Sequence, residues 1–450
     1  MTHEQARPSE GNSAQIEMTA YGNQGQVRPV PVTLQVGSRA FAVLMLALPI
    51  IGALIINFTK LDRTVMLLIQ CAVWAAVTPL IVSTGRRHAW KLPRNPTRIT
   101  QLLVLFLCAL ALATWLVWLS NTRSDMKALG LQTAALIFMA LPFYPLRRLA
   151  ATAPVDSLGL AICHVVLALG LYSVVGDFLG VNAHAGVFGR YFGPLGDQVA
   201  WVLTLPFVVY FSSRRIFLAL LAALGLVLTA SRGPVLTTIA ALLLLLVFSR
   251  GRRFEHAALV VILLVIGLYQ AGLFSTLLHR FSATEFTNND RTVTAALGIK
   301  IFLKSPVFGS GYNSLTHFYP STMHRISQGI LPAQTSTFVQ MLSDGGVILF
   351  LPYLCFVLAA SKAGVRLMRH SIALTEGRIL TGIAAWLIAI LWVNQSALWF
   401  VVGSYLGPLV FGMAGVVAGA VLRHALVQFT GAPIVTRNSQ FLSSTPMIGE

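Results

Sequence analysis

Gln101 to Ser120 reads QLLVLFLCALALATWLVWLS, twenty residues without one charged side chain. At ~1.5 Å of rise per residue, a helix of that length measures about 30 Å, the thickness of the hydrocarbon core of a bilayer. The stretch is therefore predicted to cross a membrane as an α-helix, in which each backbone N–H and C=O finds its partner inside the segment. The remainder of the chain has the same character. Of its 450 residues, 56% are hydrophobic and only 10% charged, which excludes an ordinary soluble domain.

Working outward from this run, apolar stretches separated by polar breaks predict spans near 40–58, 64–84, 101–120, 128–145, 158–180, 199–211, 216–230, 234–248, 257–274, 338–360, 380–401 and 404–422. The fold class that follows is all-α integral membrane, with about twelve transmembrane helices. The runs 199–211 and 216–230 are short, which leaves a merged or re-entrant pair open. The N-terminal residues 1–38 are polar and lack the apolar core of a cleavable signal peptide; they are read as a flexible cytoplasmic tail. A bundle of about nine spans fills 39–274, a large loop 275–337, three spans 338–422, and a second cytoplasmic tail 423–450. Cys71, Cys108, Cys163 and Cys355 all lie inside apolar runs without paired spacing and are read as packing residues.

The net charge of +18 does not point to nucleic acid, because the basic residues form short clusters between apolar runs rather than one stripe. With the N-terminal tail inside, alternate loops carry Arg86, Arg87, Lys91, Arg94 and Arg98, then Arg147 and Arg148, then Arg214 and Arg215. The series continues with Arg250, Arg252 and Arg253, then Lys362, Arg366, Arg369 and Arg378, and Arg423 after the last span. The opposite loops mix signs, as in Lys60 with Asp62 and Arg63. This positive-inside asymmetry predicts that both termini are cytoplasmic and that the long loop faces outward.

That loop, Ser275 to Thr337, is too long to be a mere connection in a compact membrane protein. Within it, Arg291 to Lys304 (RTVTAALGIKIFLK) places Val293, Leu297 and Ile301 at helical spacing and stops at Pro306. An amphipathic helix is predicted there, lying on the membrane surface or against the bundle. Gly309 and Gly311 just beyond read as tight-turn or close-approach positions.

Three features fall on the outer face by topology alone: Gly189-Arg190-Tyr191-Phe192-Gly193-Pro194; Ser231-Arg232-Gly233 between two spans; and Asn288-Asn289-Asp290-Arg291 leading into the loop helix. An arginine flanked by membrane spans costs a few kcal/mol unless it faces water, snorkels or meets an anion. Guanidinium groups match phosphate oxygens in a two-pronged fork and keep their charge, so Arg190, Arg232 and Arg291 together suit a diphosphate. His317 and His324 lie in the same loop, and imidazole exchanges protons near neutral pH, so either is a candidate base. Asp344, at the outer mouth of a span, is a candidate to orient an arginine or a hydroxyl; the competing reading is a carboxylate at a helix N-terminus. Tyr312 offers an aromatic face to a sugar, and the interfacial aromatic belt competes for that reading.

These residues resemble the bacterial O-antigen ligase and polysaccharide polymerase superfamily, over about Arg190 to Gly346. The similarity lies in their order: Arg190 with Gly193 before a span, the Ser231-Arg232-Gly233 turn, then Arg291 through Lys304, Pro306, Gly309, Gly311 and Tyr312. Phe338-Val339-Gln340 and Asp344-Gly345-Gly346 are similar to the closing segment of that family. The resemblance implies that Arg190, Arg232 and Arg291 bind a lipid diphosphate; Tyr312 and Gln340 are further candidates for contact with the substrate. Asp344 matches an acidic position of that family; with Arg232 and Arg291, and with His317 and His324 as the loop's own candidate bases, it makes up the candidate catalytic set. Ligases of this family carry a histidine five residues before the glutamine, and here that position is Thr335.

The expected activity is a metal- and cofactor-independent membrane glycosyltransferase. It would polymerise undecaprenyl-diphosphate-linked repeat units into an exopolysaccharide or related surface glycan at the periplasmic face of the bacterial inner membrane. Its expected partners are that lipid-linked oligosaccharide, an acceptor glycan, the lipid bilayer and other polysaccharide-export proteins, with no nucleic acid. A ligase moving the glycan to another acceptor remains open, as does a multispanning transporter or flippase. The transporter reading is disfavoured because ionisable residues at mid-span are few, His164 being the clearest.

Overall fold

A computed structural model of the chain describes residues 40, 42–48, 50, 51, 69, 72–76, 78, 97–120, 126–152, 155–179, 198–229, 231–248, 286–312, 314–320, 336–370, 375–393 and 406–430. Among these residues all regular structure is helical, with short helical stretches inside 40–51 and 69–78. The longer helices are α1 (Arg98–Ser120), α2 (Met126–Met139), α3 (Phe143–Thr152), α4 (Asp156–Phe178), α5 (Gln198–Ser212) and α6 (Ile216–Thr229). They continue with α7 (Arg232–Phe248), α8 (Phe286–Lys304), α9 (Ser314–Phe318), α10 (Thr337–His370), α11 (Thr375–Val393) and α12 (Leu406–Thr430).

Among the described residues, five segments are long and apolar enough to cross a membrane: Arg98–Ser120, Leu129–Ala151, Asp156–Phe178, Thr337–Arg369 and Leu406–Ala425. The second of these joins α2 to α3 across a turn at 140–142. Four shorter apolar helices accompany them, Gln198–Ser212, Ile216–Thr229, Gly233–Phe248 and Gly377–Val393. The chain is a multi-pass membrane protein, and its described residues are all-helical. The run at 257–274, most of those at 40–58 and 64–84, and both predicted tails except residues 423–430 lie outside the described residues.

The short runs 199–211 and 216–230 form two separate helices, α5 and α6, joined by a tight turn. Arg214 has φ of 63° there. The Arg215 N–H donates to the Tyr210 carbonyl at 2.9 Å, the six-residue closure of a Schellman C-cap. A three-residue link of this kind turns the chain back on itself, so α6 lies antiparallel beside α5.

Helices α5 and α11 form the centre. Every residue from Val199 to Phe211 and from Ile379 to Leu391 is buried, as expected of helices that are apolar on all sides. Two polar ties join them: the Trp386 Nε1–H donates to Thr204 Oγ1 at 2.7 Å, and the Ser212 Oγ–H to the Arg378 carbonyl at 2.9 Å. Pro206 lies inside α5. It removes one backbone donor, which is tolerable at membrane depth only where protein covers the gap.

Around this centre α10 packs along α1, with the Phe106 and Tyr353 rings 5.6 Å apart. Among the described helices, α12 packs closely on α3. Gly415 sits against the Phe143 carbonyl, and Gly419 against the Arg147 carbonyl and Ala150, so a Cβ at either would strike backbone. This is small-residue packing, in which backbones approach because no side chain intervenes. Val104, Leu105, Leu112, Trp115, Trp118 and Leu119 leave α1 with an exposed apolar face. In water that face would be a liability; against lipid it is the ordinary surface of a span.

Candidate functional site

The predicted loop helix is α8. It begins before the expected Arg291, at Phe286, and ends at Lys304, where Ser305 donates its N–H to the carbonyls of both Ile301 and Phe302. Pro306 follows and cannot continue the ladder. Thr294, Gly298 and Ile301 form its buried face. Gly298 lies so close to Val339 of α10 that a Cβ would overlap that side chain. Ile301 and Leu315 make a small second core with Leu297 and Tyr319. Val293, read as part of the apolar face with Leu297 and Ile301, is instead 44% exposed, because α8 meets α10 along the Thr294–Gly298–Ile301 stripe. The helix is thus fastened against the first turns of α10.

Helix α10 is broken near its start. Gly346 has φ 60° and ψ −158°, a conformation reserved for glycine. In an unbroken helix the Val347 N–H would pair with the Ser343 carbonyl, and the Ile348 N–H with the Asp344 carbonyl. All four groups bond instead to the segment following α8. The Val347 N–H donates to the Pro306 carbonyl at 2.9 Å and the Ile348 N–H to the Val307 carbonyl at 3.2 Å. In return, the Ser310 N–H reaches the Ser343 carbonyl at 2.9 Å and the Gly311 N–H the Asp344 carbonyl at 2.8 Å.

The loop is therefore inserted into the helix ladder, which leaves none of these backbone groups wanting. The insertion needs glycine on both sides. Gly309 and Gly311 have φ of 70° and 85°, and a Cβ on Gly309 would collide with the backbone of Asp344 and Gly345. A Cβ on Gly346 would collide with the Val307 carbonyl.

Asp344 adds a side-chain lock to the backbone one. Its Oδ1 accepts the Ser314 N–H at 3.1 Å and the Ser314 Oγ–H at 2.7 Å, all three groups being buried. The carboxylate thereby serves the first residue of α9, where helix N–H groups lack partners and negative charge is favourable. It caps another helix, α9, rather than its own. One and two turns earlier on α10, Gln340 and Thr337 are 1% and 2% exposed. Neither the Gln340 amide oxygen, nor its amide nitrogen, nor the Thr337 hydroxyl has a hydrogen-bond partner.

Of the residues singled out in the sequence, the structure brings Gln340, Asp344 and Tyr312 into one neighbourhood. Tyr312 is 6% exposed, beside the inserted loop. His317 lies at the end of α9, half-buried, with its ring edge-on to Phe318 at 5.0 Å between centroids. Arg232 is the first residue of α7, next to Gly233, where a Cβ would overlap the Trp201 ring. Arg291 lies on α8, two turns before Gly298. The side chains of Arg232 and Arg291 are outside the described residues, as are Arg190, Gly193, His324 and Thr335 altogether.

Ser314, Ser343 and Thr337 were not singled out by sequence reading. The Thr337–Gln340–Asp344 spacing of one helix face was the available signal for the last of these. Among the described residues, no group of three His, Cys, Asp or Glu side chains comes together as a metal-ligand set.

With this geometry in place, residues 217–354 match the family model described as O-antigen ligase. The match begins in α6, runs through α7, α8 and α9, and ends in α10 beyond its break. It covers less than a third of the chain, and Arg190 lies outside it. The comparison with curated proteins found no match.

Proposed function

We propose, from the match of residues 217–354 to the O-antigen ligase family model, that the chain is a glycosyltransferase of the O-antigen ligase and polysaccharide polymerase superfamily, extending lipid-linked glycan at the outer face of the bacterial inner membrane. The donor in this reading is an oligosaccharide on undecaprenyl diphosphate. The observation that carries the proposal is the inserted loop. Within the matched region, α8 with Arg291 is bound to the mouth of α10, where buried polar side chains accompany Tyr312. The helix proposed to bind the anion and the polar face of α10 are thus tied together by backbone hydrogen bonds.

In this mechanism the hydroxyl of an acceptor sugar attacks the anomeric carbon of the donor. A new C–O bond forms as the bond from that carbon to the diphosphate oxygen breaks, and the diphosphate leaves with the electron pair. Arg190, Arg232 and Arg291 stabilise the charge gathering on the leaving group. The hydroxyl proton passes to a base, for which His317 and His324 are the candidates. Asp344, engaged with Ser314, is assigned a positioning role, keeping α9 and His317 in place. The residues at work require no metal or organic cofactor.

Thr335, standing where ligases of the superfamily carry histidine, favours polymerisation of repeat units into an exopolysaccharide-like product. The matched family description favours the second reading, transfer of finished glycan to a separate acceptor. Cells lacking the native protein and complemented with Arg232→Ala or Arg291→Ala distinguish the two, provided membrane expression is equal. Accumulation of single repeat units on the carrier is the expected polymerase result. Long chains held on the carrier would indicate ligation, and normal glycan in both variants would contradict the arginine site.

A further inference from the structure

The Gln340 side chain is buried with nothing to bond. Its backbone is fully served, because its N–H donates to the Ser336 carbonyl at 2.9 Å and its carbonyl accepts the Ser343 Oγ–H at 3.1 Å. Only the carboxamide is unmet, at both Oε1 and Nε2, together with the Thr337 hydroxyl one turn before it. Each such group left unpaired costs roughly 1–3 kcal/mol, so an apolar residue here would serve folding better.

Thr337, Gln340 and Asp344 stand at i, i+3 and i+7 and so share one face of α10. The neighbouring faces are occupied: Val339 by α8 at Gly298, and Phe338 by the rings of Phe350, Tyr353 and Trp392. Asp344 is bound to Ser314, which sets the shared face toward α9 and the loop bearing Tyr312.

We propose that Gln340 and Thr337 form a subsite for the hydroxyl groups of the glycan, as distinct from its lipid diphosphate. The inference rests on the glycan-transfer reading above. A carboxamide offers an acceptor and a donor side by side, and a threonine hydroxyl offers both. A diphosphate would satisfy the donor and leave Oε1 facing negative charge, while a polyprenyl chain would satisfy neither. Neighbouring hydroxyls on a sugar ring satisfy both at once. The amide cost in the free protein is the kind of stability sacrifice that binding sites retain.

The test uses full-length protein in lipid nanodiscs. Two probes are titrated: undecaprenyl diphosphate, and the glycosylated lipid extracted from cells deleted for the native protein. Wild type is expected to bind the glycosylated lipid more tightly. Gln340→Leu is expected to lose about tenfold in affinity for it while holding undecaprenyl diphosphate unchanged, and Thr337→Val about threefold with the same selectivity.

Without lipid, Gln340→Leu should melt at or above the wild-type temperature. Equal loss for both lipids, or a Gln340→Leu protein melting several degrees below wild type, would show the amide to be structural and overturn the inference. Wild type binding both lipids equally would overturn it alone. Wild type binding neither would bring down the glycan-transfer reading and this inference together.

Discussion

Gly346 is the residue on which the joining of α8, α9 and α10 depends. Its φ and ψ fall where only glycine rests without strain, and a Cβ would meet the Val307 carbonyl. Gly346→Ala is therefore expected to destabilise the protein by at least about 2 kcal/mol and to abolish activity, read by thermal melting and glycan analysis of the same preparation. Asp344→Ala leaves the Ser314 N–H and hydroxyl buried without their acceptor. A loss of roughly 1.5–3 kcal/mol is expected, with Asp344→Asn recovering part of it because an amide oxygen still accepts. Equal melting temperatures for wild type and Asp344→Ala would refute the lock.

At this scale the sequence was informative only locally. Gly309 and Gly311 read as close-approach positions, and both have positive φ. What they approach could not be read, because the partner backbone at Asp344 and Gly345 lies more than thirty residues away and carries no periodic signal.

Among the elements, hydropathy predicted well where it had a strong signal. The run at 101–120 is α1, those at 158–180 and 216–230 are α4 and α6, and the amphipathic stretch is α8, each within a few residues. The run at 338–360 shows the limit of that method. A mean over twenty apolar residues passes smoothly through Asp344-Gly345-Gly346, and only the non-local pairing with 306–311 reveals that the first turns of α10 belong with α8 and α9. Likewise Val293 lies on the exposed side of α8, since the side a helix buries depends on its neighbour as well as its own pattern.

The contact of α12 with α3 gives the element-scale prediction. Gly419→Leu forces a side chain against the Arg147 carbonyl and must part the two helices. A drop of several degrees in melting temperature is expected, with the lipid-binding affinities of the surviving folded protein unchanged, since the contact involves neither α8 nor the start of α10.

For the whole molecule, composition and span count sufficed to predict a multi-pass membrane protein, because burying such runs in water-soluble form is not possible for a chain of this charge content. The proposed function rests on the order of motifs rather than on composition. Arginines at 190, 232 and 291 are distant in sequence, and it is the topology predicted from the positive-inside bias that would bring them to one side. The match over 217–354 bears on the last two, and the inserted loop gives Arg291 a rigid mounting within it.

The most direct test of glycan transfer is reconstitution. Purified protein in proteoliposomes would be supplied with the glycosylated carrier lipid and no other protein, and free undecaprenyl diphosphate and glycan length measured over time. Undecaprenyl diphosphate is expected to be released as the glycan lengthens, and both changes are expected to vanish in Arg291→Ala. Release and lengthening at the wild-type rate in that variant, or neither from folded wild-type protein, would contradict the proposed glycan transfer.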